Sequence, residues 1–146
     1  MLLMSDVCKQ KRLMQNISLS TKSKFFYFIS SGYSVLNCTK EVIKALFSDY
    51  PFCYLDYYNQ STDCHELALE VEIGEMTLQC CFDEAEKCDA CYVFFDNIDE
   101  VNAYIELCNE MLEYCPITKK WKLGSYFILY LEEEGDRFFG FFANRI

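Results

Sequence analysis

The sequence predicts an α+β fold, with a mostly antiparallel sheet of about five to seven strands and two main amphipathic helices packed on one face. Two observations predict it. Residues 65–83 alternate between apolar and polar around Gly74 and Glu75, as a β-hairpin does. Residues 97–115 repeat apolar side chains at helical spacing and form one continuous stripe. The order of elements (strand, helix, strand, hairpin, strand, helix, hairpin) is satisfied when both helices share one side of the sheet.

The hairpin pattern also predicts its own register. Gly at the first position of a two-residue loop suits a type II′ turn, and that turn fixes which residues face each other. The apolar side is expected to pair Ile73 with Met76, Val71 with Leu78, Leu69 with Cys80, and Leu67 with Phe82. The other side carries Glu66, Ala68, Glu70, Glu72, Glu75, Thr77, Gln79, Cys81 and Asp83. One face is therefore expected to lie in the core, and the other to be acidic.

Shorter patterns predict the remaining strands. The apolar run over residues 25–29 is bounded by polar residues and a Ser-Ser-Gly sequence, which is typical of a buried strand. The run over residues 91–95 has the same character. Further strands are predicted at residues 52–58, 125–132 and 137–143.

Two helices are predicted from apolar spacing and from their end signals. The first covers residues 39–48, with Asn37 or Thr39 as the N-cap. The second covers residues 97–115 and is stopped by Pro116.

Length and composition predict one domain over residues 1–146, in which residues 1–24 form a helix and linker that are loosely attached. The hydrophobic fraction of 52% excludes a disordered protein. No apolar run approaches the about 20 residues of a membrane helix. The start also lacks the basic leader and apolar core of a secretory signal. We therefore expect a cytoplasmic protein that does not bind a membrane.

The chain contains ten cysteines, which are expected to be reduced thiols in that compartment. Cys88 and Cys91 form a C-x-x-C motif that, with Cys81 and His65, is a weak candidate for zinc. A zinc site usually needs two such motifs and the chain has one, so no cofactor is expected. A small zinc- or thiol-dependent protein built on these four residues remains the alternative, and a secreted disulfide scaffold is the less favoured interpretation.

The sequence offers little for catalysis. His65 is the only histidine, so any dyad with Cys or Ser would have to use it. Phosphate-binding and nucleophile-elbow motifs are absent from the sequence, which contains five glycines in total. We therefore expect a non-enzymatic protein.

Charge gives the one indication of a partner. The formal net charge is −10, and residues 63–113 hold fifteen Asp or Glu against Lys87 alone, a net of −14. Such a surface argues against direct binding of nucleic acid and favours a basic protein partner. An acidic inhibitor or immunity-type protein that neutralises a basic enzyme, such as a nuclease, is the most concrete hypothesis. The expected contact residues are Glu70, Glu72, Glu75, Glu106, Glu110, Glu113, Tyr57 and Tyr58.

Two less specific interpretations stay open. The acidic face can be a solvated surface that keeps an aromatic-rich domain soluble. The aromatic strands can instead form a homo-oligomer, in which case the chain is a structural subunit with no partner on its acidic face.

Overall fold

The computed structural model of the chain describes residues 21–60 and 63–143. Contacts within the chain divide it into two units, Met1–Ser30 and Ser31–Ile146, and the sheet belongs to the second. The prediction of a single domain stays a prediction, and most of the segment 1–24 lies outside the described residues. No helix in the described residues has the length and apolar character needed to cross a membrane.

Helix α1 covers residues 21–35 of the described chain, where a buried strand over residues 25–29 was expected. That expectation is wrong. Phe25 and Phe28 are buried, and their rings meet edge to face at 6.1 Å, while Phe26 is 50% exposed. Burial at every third or fourth residue is the helical period, which a run of five apolar residues conceals.

The two predicted helices are present. Helix α2 spans Lys40–Leu46, and the side chain of Thr39 caps it by accepting a hydrogen bond from the Val42 amide. Helix α3 spans Ile98–Met111, and Asn97 caps it by accepting from the Asp99 amide. Helix α3 ends earlier than the predicted residue 115, because the chain passes into a strand at Glu113.

The described residues contain eight strands in one antiparallel sheet and three helices, so the expected five to seven strands and two main helices were too few. The sheet order is β1-β2-β3-β4-β8-β7-β6-β5. The short strands β5 and β6 are the ones that the sequence did not predict. The strands are β1 (Phe52–Asn59), β2 (Cys64–Ile73), β3 (Met76–Phe82), β4 (Cys88–Phe95), β5 (Glu113–Cys115), β6 (Lys120–Leu123), β7 (Tyr126–Glu133) and β8 (Asp136–Phe142).

The sheet consists of two halves built on the same plan. In each half a helix precedes a four-stranded meander, and the last strands of the halves, β4 and β8, pair antiparallel at the centre. The second hairpin of each half turns on Gly74 or Gly124, both with φ near +60°. The following residues, Glu75 and Ser125, do not have positive φ, which is the pattern of the predicted type II′ turn.

The predicted register of the β2–β3 hairpin is confirmed near its turn. Ile73 faces Met76, and the pairs continue without a shift as far as Ala68 and Cys81. The expected pair of Leu67 with Phe82 is not part of this ladder, which ends at Ala68 and Cys81, and the register of β3 against β4 shifts at the same point. Leu67 is 57% exposed.

One row of side chains crosses all eight strands on the side that the helices cover. Its six inner members are buried, while Tyr54 and Tyr114 at the two edges are each 42% exposed. The row is Tyr54, Leu69, Cys80, Cys91, Phe141, Ile128, Trp121 and Tyr114. Directly opposed residues of a ladder point to the same face, so this row marks the core side of the sheet.

Contacts from α2 and α3 reach this core side. The ring of Tyr104 in α3 meets Phe95 at 5.0 Å, and Trp121 donates its indole N–H to Asn109 of α3 at 3.0 Å. The ammonium of Lys44 in α2 lies 5.5 Å from the ring centroid of Tyr54. Both predicted helices therefore pack on one face, as the sequence indicated.

Candidate protein-binding groove

The opposite face of the sheet carries no helix among the described residues. A second row of directly opposed residues runs along it: Leu55, Ala68, Cys81, Ala90, Phe142, Phe127, Lys122 and Glu113. A groove of about 1020 Å³ opens on this face and runs from β1 to β7. It is lined by Tyr57, Tyr58, Gln60, Glu66, Leu67, Gln79, Cys81, Phe82, Asp83, Glu84, Asp89, Ala90, Tyr92, Phe94 and Glu133.

The charges along this groove have one sign. Five of the lining residues are carboxylates, and among the described residues that line it none is Lys, Arg or His. The carboxylates are Glu66, Asp83, Glu84, Asp89 and Glu133. A cleft lined by one sign of charge concentrates ions of the opposite sign, so the groove attracts cations.

Glu66 is held in place at the β1 side of the groove. The hydroxyl of Tyr57 donates a hydrogen bond to its Oε2 atom at 2.8 Å. Burial, together with this hydrogen bond, raises the pKa of Tyr57, so its phenol remains a donor at all physiological pH values. The carboxylate is therefore held beside a fixed donor.

Asp89 lies deeper in the groove, at the point where the β3–β4 register shifts. Partial burial raises the pKa of its carboxyl, and the charges of Asp83 and Glu66 add to the effect. The repulsion between these like charges is relieved when a cation arrives between them. The neighbouring thiol of Cys81 has a pKa of about 11, raised first by burial and also by the charges of Asp89 and Glu66.

Aromatic rings form the part of this face next to the carboxylates. Phe94 stacks on Phe138 with ring centroids 4.7 Å apart, and Tyr92 meets Phe138 and Phe142 edge to face. Tyr92, Phe94 and Phe142 are half-buried, so part of each ring remains open to the groove. Aromatic faces attract Lys and Arg cations and also accept the aliphatic stems of these side chains.

Some of the predicted contact residues lie on this face. Tyr57 lines the groove from this face, and Glu70 and Glu72 stand on the same side of β2, opposite Gln79 and Thr77. Tyr58 also lines the groove at its β1 end, but it stands on the same side of β1 as Tyr54, with its ring 5.5 Å from that of His65. Glu75 lies in the turn that joins β2 to β3, and its carbonyl accepts a hydrogen bond from the Asp96 amide.

The other predicted contact residues lie outside the groove. Glu106 and Glu110 are exposed on α3, which packs on the core side of the sheet. Glu113 belongs to the row on the helix-free face, but it lies on β5 at the far edge of the sheet, where it pairs with Lys122 and does not line the groove. The acidic residues of the hairpin and those of the helix are thus on opposite sides of the sheet and do not form one surface.

The four weak zinc candidates do not converge. Cys88 and Cys91 are fully buried, whereas the side chain of His65 is 72% exposed and contacts Asp56 at 3.3 Å. Cys81 points to the groove side, and Cys91 points to the core side opposite Cys80. Within residues 21–60 and 63–143, no group of three or more His, Cys, Asp or Glu is arranged to hold a metal ion.

The sequence did not single out Asp89, Tyr92, Phe94 or Glu133 as site residues. The alternation of Tyr92 and Phe94 with Cys91 and Val93 was visible, but both faces of that strand are apolar. Only the position of the helices decides which of these residues faces the groove.

No family model, curated protein or solved structure was found to match the chain.

Proposed function

We propose that this protein is a non-enzymatic binding module that takes a basic protein into the groove on its helix-free face. The observation that supports the proposal is a groove of about 1020 Å³ with five carboxylates in its lining and half-buried aromatic rings beside them. Carboxylates supply the charge and the charge-assisted hydrogen bonds, and the rings supply the apolar contact that Lys and Arg side chains need.

The most concrete form of this function is inhibition of a basic enzyme, as an immunity protein does to a nuclease. An enzyme that acts on nucleic acid grips phosphates with Lys and Arg. A groove with carboxylates in its lining offers those side chains an alternative set of partners, and the net charge of −10 accelerates the encounter. We expect the protein to work in the cytoplasm, where its thiols stay reduced.

Capture of the partner from a lysate of the source cells, followed by mass spectrometry, tests the proposal when it is carried out with matched variants. The groove variant is Glu66→Gln, Asp89→Asn and Glu133→Gln. The control variant is Asp99→Asn, Glu106→Gln and Glu110→Gln, all exposed on α3. Both variants remove three negative charges. They therefore differ only in the part of the surface from which the charge is removed.

We expect the groove variant to bind the captured protein at least about tenfold more weakly than the wild type does, and the control to bind within about threefold of wild type. If the partner is an enzyme, adding the wild-type protein should stop its activity. Equal capture by the groove variant and the wild type, or loss of capture by the control only, would contradict the proposal.

A further inference from the structure

The two edges of the sheet are protected to different degrees. Strand β5 is three residues long and is followed by Pro116, and both features discourage pairing with another strand. Strand β1 is eight residues long, and between Phe52 and Asn59 it contains no Pro or Lys. It pairs with β2 in eight consecutive positions without a register shift. Within the described residues, β2 is the only strand that pairs with it.

The exposed side of β1 is also apolar. Phe52 is 49% exposed and Tyr58 is 49% exposed, and Asp56 is the one ionisable carboxylate in the strand. In a chain of net charge −10, this edge is a place where two copies can approach with little repulsion. Helix α2, on the core side of β1, adds the exposed side chains of Val42 and Leu46.

We infer that β1 pairs antiparallel with β1 of a second copy of this chain, so that the two sheets join into one across a two-fold axis at Leu55. In this register Phe52 lies opposite Tyr58 of the second copy, and Cys53 lies opposite Tyr57. Aromatic cross-strand pairs of this kind stabilise antiparallel sheets.

Charge complementarity favours this register. Tyr54 lies opposite Asp56 of the second copy, and the ammonium of Lys44 is already 5.5 Å from the centroid of the Tyr54 ring. The axis therefore brings Lys44 of each copy close to Asp56 of the other. Two oppositely charged pairs form at the junction, one on each side of the axis.

The neighbouring registers are less favourable. An axis at Asp56 would place the two Asp56 carboxylates directly opposite each other, which is destabilising. An axis at Tyr54 would bring Pro51 into the ladder opposite Tyr57, and Pro has no N–H to donate there. A shift of the register by a single residue would place core-side residues of one copy opposite groove-side residues of the other.

The pairing has a consequence for the groove, although it does not depend on the proposed function. A two-fold axis perpendicular to the sheet keeps both helix-free faces on the same side. The dimer therefore presents two grooves side by side, each with its own Tyr57 and Glu66.

Sedimentation of the full chain across a range of concentrations tests the inference first. We expect twice the chain mass at micromolar concentration, with reversible dissociation on dilution. A monomer at every concentration would overturn it. Circular dichroism establishes that each variant below is folded before its mass is measured.

The register is tested by cross-linking in a background in which Cys8, Cys53, Cys64 and Cys115 are changed to Ser. Leu55→Cys should then give a disulfide-linked dimer on oxidation with copper phenanthroline and oxygen, because residue 55 faces itself across the axis. Tyr54→Cys is the control, since its own copy lies two positions away along the opposite strand. A dimer that is not cross-linked through residue 55 would contradict the inferred pairing.

A charge swap separates the inferred contact from a purely structural effect. Asp56→Lys and Lys44→Glu should each raise the dimer dissociation constant by about tenfold, since each places like charges at both ends of the junction. The double variant should recover wild-type association. Failure of the double variant to recover would show that the two residues do not meet across the axis.

Discussion

The hydroxyl of Tyr57 donates a hydrogen bond to Glu66 at 2.8 Å, across the first two strands of the sheet and at the rim of the groove. The two residues are direct cross-strand neighbours. A carboxylate fixed by a neighbouring donor loses little conformational freedom when a cation binds to it. This pair therefore links the stability of the β1–β2 ladder to the charge that the groove presents.

Tyr57→Phe should lower the free energy of unfolding by about 1 kcal/mol, because it removes a partly exposed hydrogen bond to a charged group. Urea denaturation measures the change. Tyr58→Phe is the matched control, since it removes the same hydroxyl from the next residue of β1, whose cross-strand neighbour is His65. We expect this control to stay within about 0.5 kcal/mol of wild type. Equal effects of the two substitutions would show that the bond contributes nothing.

Asp89→Asn should change how stability depends on pH. The pKa of Asp89 is raised above its ordinary value of 3.8 in the folded state, so its contribution to stability is full below that value. The contribution is lost as the pH rises through the raised pKa. The Asn variant avoids this loss, so its stability relative to wild type should increase as the pH rises above about 4.

Urea denaturation at several pH values checks this expectation. Repeating the comparison in a Glu66→Gln background provides the control, because the charge of Glu66 is one cause of the raised pKa. The increase should be smaller there. If the free energies of unfolding of the Asp89→Asn variant and the wild type differ by the same amount at every pH, the burial and charge repulsion described for Asp89 are contradicted.

The thiols should divide into two classes when the native protein is alkylated. Cys53, Cys64 and Cys115 are exposed and should react, with Cys115 first, because hydrogen bonds from Thr118 lower its pKa. The buried thiols should react only after unfolding; among them, burial raises the pKa of Cys108 to about 12. Peptide mapping by mass spectrometry reports the order. Rapid labelling of Cys80 or Cys91 in the folded protein would be inconsistent with their burial.

Gly32→Ala should destabilise the protein, although the same change in an exposed helix usually stabilises it. A Cβ atom at Gly32 would lie 2.5 Å from the ring of Phe141, which is fully buried. We expect a loss of about 1–3 kcal/mol in thermal or urea unfolding. Ser30→Ala, at an exposed position of the same helix, is the control and should change stability by less than about 0.5 kcal/mol. An increase in stability for Gly32→Ala would show that this contact is looser than described.

Local patterns were enough to predict the β2–β3 hairpin and the starts of the two predicted helices. Alternation around Gly74 sets the register because a one-residue slip exposes the whole apolar face. The caps at Thr39 and Asn97 follow from side-chain oxygens that bond to nearby amides.

The parts that could not be predicted depend on distant contacts. Helix α1 was mistaken for a strand, because the apolar run over residues 25–29 fits both the two-residue period of a strand and the 3.6-residue period of a helix. Only when the buried residues up to Val35 are included does the helical period stand out. The shift after Cys81 depends on β4, and nothing within the hairpin encodes it. The groove likewise joins residues of β1 and β7, which are far apart in the chain. Only the packing of the helices on one face determines that Asp89 and Tyr92 share an open surface.

The central claim is that basic side chains bind on the helix-free face. NMR titration of the labelled protein tests it most directly, with an extended peptide in which Arg and Ser alternate and a control peptide in which Glu replaces Arg. We expect the Arg peptide to shift the amide signals of Cys81, Asp89 and Tyr92 and to leave those of Glu106 and Glu110 on α3 unchanged. Shifts on α3 instead, or equal shifts with the Glu peptide, would contradict the claim.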